Sequence, residues 1–260
     1  MRNILAIIER ELRSYFTSPI AYVVLTLFLF LSGIVFQFIL FRVLEIGLQA
    51  SQGAQFGQPP QPLDMPKMVS QGFLGTMSDI LLFMVPMITM ALFSEEKRRG
   101  TMELLLTAPI TDAQVVLGKF LAAFSFFVIL LGTTLLPMSV LYMFGSPASG
   151  PIVTAYLGLL LYGLAILAIG MFISTLTENQ IIAAVLTFGT IMVLWLLNVV
   201  ASRAEGQVTK AVLTYLSVLS HLDDFFKGVL VSSHVIFYLS LTFAALFLTY
   251  RSLDSLRWRG

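Results

Sequence analysis

The 260-residue chain has no cysteine, two histidines and few charges: 11 % of its residues are Asp, Glu, Lys or Arg. The missing cysteine excludes disulfides, thiolate metal sites and cysteine nucleophiles, and leaves the redox compartment open. A soluble domain carries about a quarter of its residues charged; this one has less than half of that. A net charge of +1 is too small a basic excess to suggest nucleic acid as a partner. The pattern G-x-x-x-x-G-K-[ST] is absent. The one Gly-Lys pair, Gly118–Lys119, is followed by Phe120, without the nest of backbone amides that cradles a nucleotide phosphate. ATP chemistry is therefore not expected in this polypeptide.

What is present is oil. Hydrophobic residues make up 58 %, the mean hydropathy is +0.92, and apolar runs near the length of a bilayer crossing alternate with short charged blocks. The expected fold is all-α: a polytopic membrane protein in a single transmembrane domain, 1–260, with six spans at about 20–41, 72–93, 113–144, 151–175, 180–201 and 232–251. Each is long enough for about 30 Å of hydrocarbon, and helices satisfy their own backbone groups there. The third span is long enough to tilt or project beyond the lipid. Pro86 marks a kink in the second, and Pro137 lies near the far end of the third. The charged N-terminus and the long first run do not read as a cleavable signal.

Residues 1–18 read as a helix lying on a membrane surface. Ile4, Leu5, Ile8, Leu12, Tyr15 and Phe16 share one face; Arg2, Glu9, Arg10 and Arg13 share the other. Glu11 falls among the apolar residues and needs a partner, either a basic group on a neighbouring helix or headgroup-level water. Residues 42–71, rich in Gln, Gly, Pro and Ala, read as a flexible external loop. Residues 220–230 read as a short external helix, capped by Ser220, with Asp223 and Asp224 in its first turn and Gly228 ending it. His221 with these aspartates is better explained by capping and rim polarity than by a metal, because adjacent aspartates on a helix diverge. Asp79, the one acid inside an expected span, suits snorkelling or a pair with Lys67. Trp195 and Asn198 suit interfacial anchoring. Gly158, Gly163, Gly170, Ser174 and Gly189 suit close helix packing.

Counting Lys and Arg orients the spans. Ten fall on the side of both termini and residues 94–119, five on the other. Both termini and that segment are therefore expected in the cytosol. Within it, Gly100 permits the left-handed turn that ends a helix. Thr101 can cap a new helix of about 101–108, with Glu103 in its first turn, and Pro109 stops it. Two turns cannot hold a helix in water, so Leu104, Leu105 and Leu106 need a surface to bury against. Thr111 and Gln114 match a capping box opening the third span.

The stretch EEKRRGTMELLLTAPITDAQVVLGK resembles the signature of membrane subunits in the type-2 ABC exporter family. RELRSYFTSPIAYVV and HLDDFFKGVL are similar to segments of the subgroup that contains the gliding-motility permease. The resemblance implies a permease subunit, not itself an enzyme, with 101–108 as a coupling helix received by a separate ABC ATPase dimer. Glu95, Glu96, Gly100, Thr101, Glu103, Leu105 and Pro109 would form the coupling segment, with ATP and Mg held by the partner. It also implies a second permease subunit, as homodimer or heterodimer, residence in a bacterial inner membrane, and room for an accessory external protein. An ion-coupled secondary transporter is the alternative, but it would place several ionisable groups at mid-membrane, and the spans hold none that fit. An intramembrane enzyme lacks paired mid-span acids or a nucleophile elbow. The cargo is not legible.

Overall fold

A computed structural model describes residues 2–56, 63–102 and 110–257. Among these, eleven helices occur. They are α1 (Arg2–Thr17), α2 (Pro19–Gln55), α3 (Met65–Thr89), α4 (Ser94–Arg98), α5 (Asp112–Thr133), α6 (Leu135–Phe144), α7 (Ser149–Ser174), α8 (Gln180–Arg203), α9 (Gln207–Leu216), α10 (Leu222–Phe226) and α11 (Ser232–Arg257). Six helical stretches among the described residues are long and apolar enough to cross a membrane, so the protein is an all-α, multi-pass membrane protein.

The helix boundaries follow from local chemistry. Thr111 and Gln114 form both halves of the expected capping box. Asp64 caps α3 by accepting from the Lys67 amide at 3.1 Å. Gly100, at φ +67°, closes α4: its amide reaches the Lys97 carbonyl and the Thr101 amide the Glu96 carbonyl, the paired bonds of a Schellman turn. Gly228, at φ +90°, closes α10 the same way through the Phe225 and Asp224 carbonyls. Pro137 sits in the first turn of α6, where a missing amide costs least, and the third span is split there into α5 and α6.

Three expectations need correction. Residues 42–71 are not one loop: α2 runs on to Gln55, and α3 begins at Met65 rather than at 72. Beyond Phe41 the chain keeps helical apolar spacing through Val43 and Gly47, which pack inward; a Cβ on Gly47 would stand 2.2 Å from the Met65 side chain. At 37 residues, α2 is about 55 Å long and projects past a bilayer core. Ser220 does not cap α10. The cap position is His221, whose side chain makes no capping bond to the helix, and the Ser220 hydroxyl donates back to the Thr214 and Ser217 carbonyls because the preceding residues form α9. Asp79 accepts from the Trp195 indole N–H at 2.9 Å rather than from Lys67.

The core is built on α7, which packs against α3, α5, α8, α10 and α11. Its small residues set the separations. A Cβ on Gly158 would meet Phe225 at 2.8 Å, one on Gly163 would meet Phe127 at 2.2 Å, and one on Gly170 would meet Thr89 at 2.3 Å. Gly189, by contrast, has open space around it. At the last turn of α7 the Ser174 hydroxyl accepts from the amides of Phe93 (3.0 Å) and Ser94 (3.2 Å) and donates to the Met90 carbonyl. It caps α4 from a neighbouring helix and uses its full inventory of one donor and two acceptors. Ser174→Ala strips two buried amides of their acceptor. It is expected to cost about 1–3 kcal/mol, read as a fall in the unfolding midpoint of the purified protein in detergent.

Candidate functional site

At the end of the bundle that holds α1, α4 and the start of α5, four charges converge. Lys119, only 3 % exposed, bridges Glu11 of α1 at 3.1 Å and Glu96 of α4 at 3.0 Å. Arg10 adds contacts to Glu11 at 2.6 Å and Glu96 at 3.6 Å. The partner that Glu11 needs is thus a basic group on a neighbouring helix. Lys119 also lies 5.3 Å from the centre of the Phe93 ring, a cation–π contact that replaces some of the water it lost.

The local sequence explains why these groups meet. Gly118 lets α1 lie directly on α5: a Cβ there would stand 2.7 Å from Ile7. The next residue, Lys119, is carried under α1 to the turn bearing Glu11. Asn3 and Gln114 extend the same seam, 3.3 Å apart. Asp112, at the head of α5, is buried as well. On the other side Lys97 donates to the Thr175 carbonyl, tying α4 to the end of α7. Glu95 pairs with Arg99 along α4, and Arg13 with Glu9 along the exposed face of α1.

The electrostatics favour ionised groups. Burial alone would raise the Glu11 carboxyl, but Lys119 and Arg10 outweigh it and hold it below the usual carboxylate range. The hydrogen bond to Glu11 raises Arg10 further. Burial, with Glu11 and Glu96 adding to it, pushes the Tyr15 phenol well above its ordinary value. Among the described residues two polar atoms here lack hydrogen-bond partners, the Tyr15 hydroxyl and Glu96 Oε2. Beside the network opens a cavity of about 570 Å³ lined by Glu95, Glu96, Arg99, Thr101, Ile110 and Lys119. The charged groups therefore form the wall of a recess at the bundle's end.

Of the coupling residues anticipated from sequence, Glu95, Glu96, Gly100 and Thr101 line or border this recess. Glu103, Leu105 and Pro109 lie outside the described residues, as does nearly all of the expected helix 101–108. Thr101 donates to the Glu96 carbonyl at 3.3 Å, and Met102 is buried. Lys119 and Tyr15 are the members that sequence reasoning missed; the misplaced carboxylate at Glu11 and the Gly118–Lys119 pair were the available signals.

At the opposite end His221, Asp223 and Asp224 lie with α9, α10 and the start of α11. His221 meets His234 at 2.8 Å, and His234 meets Asp224 at 3.0 Å. Among the described residues no group of three His, Asp or Glu is arranged to hold a metal ion. Asp79 and Asp223 face a second cavity, of about 340 Å³, with Lys227 and Gln71.

Comparison with known proteins adds identity to this geometry. The sequence model of the family described as "ABC-2 family transporter protein" matches residues 48–202. The chain is 27 % identical over 146 residues to "Probable multidrug ABC transporter permease YbhR" of Escherichia coli (strain K12), covering 56 % of this chain and 39 % of that protein. It is 31 % identical over 121 residues to "Probable multidrug ABC transporter permease YbhS" of the same strain, covering 46 % of this chain and 32 % of the relative. The matches thus span about a third to two fifths of those relatives' lengths.

Proposed function

The chain belongs to the ABC-2 transporter family, and on that premise we propose that it is a permease subunit driven by a separate ABC ATPase. The supporting observation is the buried Lys119–Glu11–Glu96 network. It joins α1, α4 and α5 into one block at the root of residues 103–109, so a push on that segment reaches the bundle through buried ion pairs rather than through a loose loop. Nucleotide and Mg belong to the partner in this reading. Two ATPase copies close on ATP, the coupling segments move with them, and two permease subunits, identical or not, open a path outward.

The orientation in this reading puts the network in the cytosol of a bacterium, with both termini, and the chain in the inner membrane as one transmembrane domain. The ten Lys and Arg residues assigned to that face, against five to the other, support it. The subgroup of the gliding-motility permease remains part of the proposal, resting on the opening and pre-final-span motifs. The relatives' names point to drug-like cargo, and the apolar spans suit a lipid-linked or amphipathic cargo or mechanical work on an external protein.

A photo-crosslinker at Leu105 in the membrane-embedded complex tests the coupling role. Capture of an ABC ATPase is the expected result; crosslinks confined to this chain or to lipid overturn it. Glu103→Lys reverses the charge at the head of that segment and is expected to uncouple ATP hydrolysis from transport, with ATPase association weakened about ten- to a hundredfold and the spans still folded.

A further inference from the structure

The cap opposite the charged network contains the chain's only two histidines, and they touch. His221, at the start of α10, places Nδ1 2.8 Å from Nδ1 of His234 in the first turn of α11. The outer nitrogens are also engaged. His221 Nε2 lies 2.9 Å from the Tyr215 carbonyl, and His234 Nε2 lies 3.0 Å from Asp224 Oδ2. A carbonyl and an ionised carboxylate only accept, so both outer nitrogens must carry N–H. The inner contact at 2.8 Å needs one proton between its two nitrogens. Four ring nitrogens therefore hold three protons, and the pair carries one positive charge, set against Asp224.

We propose that His221 and His234 form a proton-dependent latch that fastens the α9–α10 cap to the last span. When the pair loses its shared proton to water, the N–H···N bridge is lost and two lone pairs face each other at the same distance. The pair has then lost its charge against Asp224, and the seam between α10 and α11 opens. Imidazoles exchange protons between about pH 5 and 8, so the latch is closed on the acid side of that window and released on the alkaline side. The titration belongs to the pair rather than to either ring.

The surroundings favour such a switch. The hydrogen bond from His234, helped by Lys227, holds the Asp224 carboxyl below its usual range, so the anion persists wherever the latch titrates. Burial pushes His221 down, the Tyr215 carbonyl opposes this, and His234 adds to it. The other titratable groups facing the pair are Tyr215 of α9, whose ring lies edge-on to His221 at 5.6 Å; Asp223 of α10 and Lys227 just after it, the latter 3.4 Å from Asp224; and Tyr238 of α11, 6.1 Å from His221. Behind Tyr238 stands Tyr162 of α7, 6.5 Å away. Burial raises the Asp223 carboxyl, with Lys227 opposing and Asp224 adding to it, and imidazole is the side chain whose ordinary proton exchange falls inside the window. Phe237 packs on His221 at 4.0 Å between ring centres and keeps water off the bridge.

Two histidines in a cysteine-free chain make the test clean. The full chain, labelled with 15N-histidine and held in lipid nanodiscs, is followed by NMR from pH 5 to 8.5. The expected spectrum at the acid end has three protonated ring nitrogens and one unprotonated, with both rings changing at one shared midpoint. Two rings titrating independently, or both neutral throughout, overturn the latch. Spin labels on cysteines replacing the exposed Thr209 and Ile236 read the seam: the short-distance population at pH 5.5 is expected to be lost in part at pH 8.5. His234→Gln, which cannot take up a proton, is expected to abolish that pH response. An unchanged response in His234→Gln, or a pH-independent distance in the native chain, overturns the proposal. If the variant fails to fold, the native-chain spectra decide.

Discussion

Lys119→Met is expected to destabilise the protein by about 3–5 kcal/mol, the usual cost of removing one member of a buried ion pair. The side chain is 3 % exposed and faces carboxylates that are 12 % and 20 % exposed. Without the ammonium, Glu11 and Glu96 stand beside each other with only the half-exposed Arg10 to offset them. The lesion is therefore an uncompensated pair of acids rather than a lost contact. The triple variant Lys119→Met, Glu11→Gln, Glu96→Gln removes charge on both sides and is expected to recover most of the loss, because a neutral, well-filled site avoids the desolvation cost altogether. Acid should act on the same joint. The Glu11 carboxyl is held below its ordinary value, so its contribution is complete above its unfolded range near about pH 4.3. It is lost as pH falls through the lowered folded value. The readouts are the unfolding midpoint in detergent and the labelling rate of a single cysteine introduced at Ile7, which should rise in Lys119→Met as α1 lifts from Gly118. A rate equal to that of the native background would show that α1 is held by its apolar face alone.

What could be read from the sequence was what depends on neighbours in the chain. The capping box at Thr111, the left-handed glycines at Gly100 and Gly228, and the apolar lengths of the spans are local and were legible. The need of Glu11 for a partner was legible too, since a carboxylate on an apolar face states a requirement; which residue met it was not, because Lys119 is 108 positions away. Distance along the chain also hid the Trp195–Asp79 bond; the His221–His234 contact spans 13 positions and was hidden because it is made by the packing of two separate helices. The far half of α2 was obscured by composition. Gln, Gly and Ala between 49 and 55 suggest a loop, while packing of Val43 and Gly47 against α3 holds the helix. Helix α9 was hidden for a related reason: Val208, Val212, Tyr215 and Leu216 share a helical face but lie on the surface, so no buried stripe announces them.

The joint between the charged network and the core runs through α5 and α7, and its tightest point gives the second large prediction. A Cβ on Gly163 would fall 2.2 Å from Cε1 and 2.3 Å from Cζ of Phe127. That ring is wholly buried and lies against Phe124, 6.3 Å between centres, so it has no free side to move toward. Gly163→Leu must therefore separate the two helices. Overpacking of this kind costs about 1–3 kcal/mol and sometimes more. In lipid the separated faces gain nothing from water exclusion, since the tails are as apolar as leucine; close van der Waals contact is what holds such helices together. The size of the effect should depend on the ring: Gly163→Leu combined with Phe127→Ala returns the volume and is expected to recover part of the midpoint. Gly189→Leu is the control. It meets open space within 4 Å and should shift the midpoint by less than about 0.5 kcal/mol. If both leucines cost the same, the loss comes from glycine's backbone rather than from the α5–α7 contact. A cost confined to Gly163, and relieved by shrinking Phe127, would identify this crossing as the rigid link through which movement at Lys119 reaches the centre of the bundle.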